Sequence, residues 1–254
     1  MSTSRFAAGS KFEMPSHPEL EGRRVFLSGV SDGTGEAIAN GFALQSTRLV
    51  LHSRQPAGPA ALLADALKPK ASALRLFSGN VGPDQAACER LARAGLGAFG
   101  GLDLLINLID SSPVDLNRYS SNQAFEDQIA DDLRPALVLS RALADHSRNA
   151  GQSASVMHVC LMQSGTGAQF ARYAMLKAAL ESMVADQARK WFSHDICVYG
   201  FLPGMAGEPF DEPVAAENVV SAHSSFEVAV SAILLNAACG RSRWLNGVTV
   251  AVPV

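Results

Sequence analysis

The chain has 254 residues, 48% of them apolar and 18% charged, enough apolar material to bury one large α/β core and too little charge for a disordered chain. Twenty-one Lys and Arg against 24 Asp and Glu leave a net charge of −3, spread along the sequence, so nothing supplies a broad attraction to nucleic acid or anionic lipid. No apolar run approaches the ~20 residues of a membrane-spanning helix, and residues 1–17 lack the hydrophobic centre of a signal peptide, so the expectation is a cytoplasmic protein without nucleic-acid or membrane partners.

Residues 1–19, rich in Ser, Gly, Pro and charge and without a sustained period, read as a flexible arm, and residues 20–254 as a single domain. Short apolar runs then alternate with segments of helical period. A strand at Arg24 to Leu27 is followed by a helix at Thr34 to Ala43, a strand at Arg48 to His52 and a helix at Pro59 to Leu67. Next come a strand at Ala73 to Phe77, a helix at Asp84 to Ala94 and a strand at Leu102 to Asn107. The second half repeats the rhythm with a helix at Ala124 to Ser147, a strand at Ser155 to Leu161, a helix at Ala171 to Trp191 and a strand at Ile196 to Phe201. A helix at Phe226 to Ala238 and a strand at Val248 to Val252 close the series. Strands joined through helices run parallel and are covered on both faces, so the sequence predicts an α/β fold with a doubly wound, mainly parallel, seven-stranded sheet. Cys88, Cys160, Cys197 and Cys239 lie far apart, with no CxxC pair and no His at ligand spacing, so buried thiols are expected and no metal site is assigned.

Directly after the first strand stands Ser28-Gly29-Val30-Ser31-Asp32-Gly33-Thr34-Gly35. Glycines let the backbone turn sharply and approach a ligand, and free amides at a helix N-terminus attract phosphate oxygens, which suits a dinucleotide pyrophosphate. The letters Gly29-Val30-Ser31-Asp32-Gly33 also satisfy the nucleophile-elbow pattern of a hydrolase, but an elbow needs earlier strands and this turn follows the first one. At the end of the second strand an acidic residue would hold the ribose hydroxyls of NAD(H). Here the residues are Ser53 and Arg54, and a guanidinium suits the 2′-phosphate of NADP(H), which is therefore favoured over NAD(H). Asp32 sits where it caps the following helix.

Tyr173 and Lys177 are four residues apart on a predicted helix and share a face. A lysine ammonium beside a phenol favours the phenolate, making the tyrosine a usable proton donor and acceptor near neutral pH. On the strand before that helix, His158 reads more readily as a hydrogen-bonded core histidine than as a group assisting a substrate.

A strand, a glycine-rich SGxxxGxG turn, a helix and a late YxxxK within a βαβ series of about 250 residues together resemble the short-chain dehydrogenase/reductase family. Asn80 and Val81 after the third strand, Asn107 on the fourth, and Pro203-Gly204 after the sixth add to the likeness. The resemblance implies a Rossmann fold binding NAD(P)(H), with Tyr173 as catalytic acid/base and Lys177 binding the nicotinamide ribose. It implies the turn residues Gly29, Ser31, Asp32, Gly33, Thr34 and Gly35, with Ser53, Arg54, Asn80, Val81, Asn107, Pro203 and Gly204, as the remaining cofactor contacts. The substrate would be a small carbonyl or alcohol. The chain also departs from the family. Leu108-Ile109-Asp110 follow Asn107, the serine position falls on Cys160 or Leu161, the helix asparagine falls on Asp132, and the threonine after Pro203-Gly204 is missing. A thiol is a weak donor, and losing one polarising donor typically costs ~3 to 4 kcal/mol of transition-state stabilisation. Two readings stand: an oxidoreductase with Cys160 at the polarising position, forming a homo-oligomer (dimer or tetramer), or a non-catalytic subunit forming a hetero-oligomer with an active paralogue through its two long helices.

Overall fold

The computed structural model describes residues 14–30, 33–82, 84–110, 122–161, 168–203 and 227–252. Seven strands form one sheet: β1 (Arg24–Val30), β2 (Arg48–Ser53), β3 (Ala73–Ser78), β4 (Leu104–Asp110), β5 (Ala154–Leu161), β6 (Ile196–Pro203) and β7 (Thr249–Val252). Their order is β3-β2-β1-β4-β5-β6-β7, and all six pairings are parallel. The helices are α1 (Thr34–Leu44), α2 (Ala57–Leu67), α3 (Gln85–Gly97), α4 (Asn122–Ala150), α5 (Ala168–Trp191) and α6 (227–236). Every sequence-predicted element is present. The first strand runs three residues further than its apolar run, to Val30, because Ser28 and Val30 still pair with β2 on either side of a bulge at Gly29.

Alternation along the buried strands divides the core between the two faces. Val25, Leu27, Leu49, Leu51 and Ile106 pack beneath α1, α2 and α6 with Ile38, Phe42 and Leu234. Phe26, Val50, Leu105, Val156 and Val198 pack beneath α3, α4 and α5 with Leu91, Leu139 and Leu180. Asp84 caps α3, its carboxylate accepting from the backbone N–H groups of Ala86 and Ala87. Among the described residues no helix is long and apolar enough to cross a membrane.

The N-terminal edge of the sheet is tied by side chains. Arg24 donates through Nη2 to Asp103 Oδ1 at 2.6 Å and through Nε to Oδ2 at 3.2 Å, while its backbone N–H also reaches Oδ2, at 2.8 Å. Burial pushes the Asp103 carboxyl up, but these Arg24 contacts outweigh it and hold the group below its ordinary value. Of the stretch expected to be a loose arm, residues 14–19 are described and packed: Met14 lies against the core, and His17 N donates to Gln45 Oε1 at 2.7 Å. None of the four cysteines is in a disulfide; Cys88, Cys160 and Cys197 are buried and Cys239 is half-buried.

Candidate functional site

The strand order reverses direction at β1, between β2 and β4, and ligands of such sheets bind outside the carboxyl ends of the strands at that reversal. The glycine-rich turn lies at this point. Gly29 has φ +87°, and a Cβ on it would lie 2.5 Å from the Leu108 carbonyl oxygen of β4, so only glycine lets β1 bulge out of register with β2 between Ser28 and Val30. Gly33, with φ +47°, is the N-cap of α1, and a Cβ there would meet Glu227 Oε1 at 2.8 Å. The carboxylate of the first residue of α6 therefore stands at the N-terminus of α1, the place where a helix favours negative charge. Gly35 is buried, with Leu108 Cδ1 3.3 Å from its would-be Cβ, and Thr34 is half-buried. Ser31 and Asp32 lie outside the described residues.

A row of buried polar side chains crosses the sheet beneath the turn. His52, Ser28, Asn107 and His158 are register partners on β2, β1, β4 and β5, and all four are at most 4% exposed. His52 Nε2 donates to the Gly79 carbonyl at 2.9 Å, which leaves Nδ1 to accept from the Ser28 hydroxyl at 3.3 Å. His158 Nε2 donates to Gln187 Oε1 of α5 at 3.0 Å, so its Nδ1 accepts from Asn107 Nδ2 at 3.3 Å. Asn107 Nδ2 also donates to Ser140 Oγ of α4 at 3.1 Å, while that hydroxyl donates to the Ala136 carbonyl. Burial pushes the His158 imidazolium pKa down to about 4, and burial likewise lowers that of His52, so both rings are neutral at pH 7. Among the described residues, the buried Asn107 carbonyl oxygen has no hydrogen-bond partner.

Asn107 lines a small cleft with Gly29, His52, Arg54, Asp132 and Pro135. Arg54 Nη1 lies 4.0 Å from Asp132 Oδ1, with the carboxylate buried and the guanidinium partly open to solvent. Ser53 is buried, and its hydroxyl accepts from Gln55 N at 3.1 Å. Asn80 turns its carbonyl oxygen to Gly82 N at 2.9 Å, and Val81 packs against the core on the α3 side. Cys160, expected at the polarising position, is 1% exposed within the apolar cluster under α4 and α5, whereas Leu161 faces the opposite core. The backbone of Tyr173 is in α5, and its side chain lies outside the described residues. Lys177, one turn further on, is exposed. Pro203 pairs with Val252 at the end of β6, and Gly204 lies outside the described residues. The structure thus brings Gly29, Arg54 and Asn107 to one cleft, sets Gly33 and Gly35 at the start of α1, and places Cys160 inside the apolar core.

Sequence reasoning missed Ser28, His52, Ser140, Gln187 and Glu227. For the first two a signal exists: each is a polar letter at a core-facing position of a strand otherwise apolar on that face. Ser140, Gln187 and Glu227 become visible only when helices pack on the sheet.

A parallel sheet of this order, with a glycine-rich turn at its reversal, defines a Rossmann-type protein. The profile of the short chain dehydrogenase family matches residues 23–218, and the chain belongs to that family. Gluconate 5-dehydrogenase of Gluconobacter oxydans (strain 621H) is 24% identical over 211 residues, 80% of this chain and 79% of the relative. L-Rhamnose 1-dehydrogenase (NAD(P)(+)) of Sphingomonas sp. (strain SKA58) is 26% identical over 189 residues, 73% of each chain. A short chain dehydrogenase from Burkholderia cenocepacia J2315, solved in complex with NADP, superimposes with a TM-score of 0.74 at 21% identity, covering 92% of this chain and 98% of the other.

Proposed function

We propose that this chain is an NAD(P)-dependent oxidoreductase that interconverts a carbonyl and a secondary alcohol on a small molecule, with NADP(H) favoured over NAD(H). The observation that carries the reading is the Gly29–Gly33–Gly35 turn, pressed against β4 by the left-handed Gly29 and opening α1 at the sheet reversal. The buried Asn107 oxygen beside it, without a partner among the described residues, supplies a further acceptor for a bound group. When bound, the nicotinamide accepts or donates the hydride. Tyr173 transfers the proton to or from the substrate oxygen, and Lys177, one helical turn away, holds the ribose and favours the phenolate. Arg54 attracts the 2′-phosphate, and Asp132, sharing the guanidinium, limits how strongly it does so. Residues 20–254 act as a single cytoplasmic domain that assembles through α4 and α5, where a groove leaves Leu137 46% exposed between charged rims.

A second reading, the non-catalytic subunit paired with an active paralogue, is favoured by one observation: Cys160 is buried among apolar side chains. Titration of the purified chain with NADPH and NADH, followed by nicotinamide fluorescence, tests the first step; failure of both to bind ends the oxidoreductase reading. Turnover of a reactive diketone then separates the two readings. In the enzyme Tyr173→Phe lowers turnover by about 10³ with cofactor affinity unchanged. A chain that binds cofactor yet shows no turnover in any of these forms is the structural partner.

A further inference from the structure

Spacing in the chain gives Cys239 no histidine, but folding sets one beside it. At the N-terminal edge of the sheet, away from the crevice, the single turn Pro18–Leu20 meets the π-helical turn Ala237–Arg241 that continues α6. Cys239 Sγ lies 3.2 Å from His17 Nδ1, across 222 residues of sequence. The Glu19 carboxylate completes a trio whose donor atoms all lie within 4.8 Å of one another.

Three features make this more than a chance meeting. The segment bearing His17 and Glu19 is held in place on both sides of the ring: His17 N donates to Gln45 Oε1 at 2.7 Å, Gln45 Nε2 donates back to the Pro15 carbonyl at 3.2 Å, and Leu20 is 1% exposed. A ligand set fixed by its surroundings loses little freedom on binding. Among the described residues, the other nitrogen of the His17 ring, Nε2, is buried without a hydrogen-bond partner, while Nδ1 meets the thiol. Finally, thiolate, imidazole and carboxylate together suit a borderline-soft cation and not magnesium or calcium. Arms of ~2.3 Å to sulfur and ~2.0 Å to nitrogen at a tetrahedral angle place those two atoms ~3.5 Å apart, a few tenths of an ångström (~0.3 Å) beyond the observed separation.

We propose that His17, Glu19 and Cys239 bind one divalent cation of the zinc class, with water in the fourth position. The ion clips the segment before β1 to the end of α6. On binding, the Cys239 thiol, which otherwise donates to the Leu235 carbonyl at 3.2 Å, releases its proton to solvent and coordinates as the thiolate. The site is independent of the dinucleotide reading and is tested without it.

The experiment uses the untagged full chain, freed of metal with a chelator and titrated with Zn²⁺ by calorimetry and with Co²⁺ by absorption spectroscopy. One equivalent binds, and the Co²⁺ form shows a thiolate-to-metal charge-transfer band. Cys239→Ser abolishes that band; His17→Ala weakens Zn²⁺ affinity at least about tenfold, the loss of one of three protein ligands. At a hundredfold excess over Kd, Zn²⁺ raises the unfolding midpoint by about 5 °C. On the unmutated chain, Zn²⁺ protects one thiol from iodoacetamide, and mass spectrometry locates it at Cys239. Absence of saturable uptake, a band that survives Cys239→Ser, or protection at another cysteine overturns the site.

Discussion

The two edges of the one sheet are built by opposite rules. At the N-terminal edge, the His17 ring apart, polar groups tie neighbouring segments together: Arg24 donates three hydrogen bonds to Asp103, Gln45 bridges residues 15 and 17, and Asn246 Oδ1 accepts from Val198 N at 2.7 Å. At the C-terminal edge the same backbone carries a bulge, two left-handed glycines in the turn, a buried amide oxygen without a partner among the described residues and a buried carboxylate facing a half-open guanidinium. The difference teaches where each edge spends its polar groups: the first on holding strands together, the second on groups kept in reserve for something that enters.

Glycine substitutions probe this contrast with the largest expected effect. Gly29→Ala puts a Cβ against the Leu108 carbonyl at φ +87° and destabilises the chain by about 3 kcal/mol in urea unfolding, with loss of cofactor binding. Gly22→Ala, at the other edge, has φ +71° but nothing within 4 Å and costs only about 1 kcal/mol. Equal costs would mean that the close approach at Gly29 is not what fixes the turn.

The polar row is probed by pH. With a folded-state His158 pKa of about 4 against 6.5 for a free ring, the unfolded chain takes up a proton between those values that the folded chain refuses. Stability from this group is full above pH ~6.5 and is lost as pH falls toward 4, by about 2 kcal/mol between pH 7 and 4.5. In His158→Asn that part of the pH slope vanishes; an unchanged slope in the variant would assign it elsewhere. At the N-terminal edge, Asp103→Asn lowers stability by about 1 to 2 kcal/mol while NADPH affinity stays within about twofold. A comparable fall in cofactor affinity would show that the edges are not separable. The smallest effect falls on the Arg54–Asp132 pair: Arg54→Ala narrows the ratio of NADPH to NADH affinity by about tenfold, about 1.4 kcal/mol, and Asp132→Asn widens it. A ratio indifferent to both removes the pair from cofactor choice.

The sheet was legible because its evidence is local and repeated. Apolar runs such as Leu49–Leu51 and Val156–Val159, separated by helical periods, leave a parallel sheet as the only compact arrangement, and Gly29 to Gly35 mark its reversal. What stayed hidden depends on residues that meet only after folding. Nothing near Cys239 in the chain announces His17, and nothing near Gly33 announces Glu227. Arg54 was readable as a cation at the end of β2, but its carboxylate partner comes from a helix that begins across two further strands. Cys160 illustrates the reverse difficulty: its place at the end of β5 follows from spacing, while the side of the sheet it occupies follows from strand parity, which puts it with Val156 and His158.

The pairing of β1 with β4 bears on synthesis. The strand's other neighbour is close behind it, Arg24 opposite Arg48, but Asp103, which clasps Arg24, lies 79 residues downstream. At a translation rate of roughly 5 to 20 residues per second, the β4-facing side of β1 waits some 4 to 16 seconds on the ribosome without its partner. During that interval it is an edge, open to any other strand. A charged residue at its start and the out-of-register glycine near its end shorten the stretch that a neighbouring nascent chain can copy, so the residues that later frame the two ends of the mature sheet also guard the centre of the unfinished one.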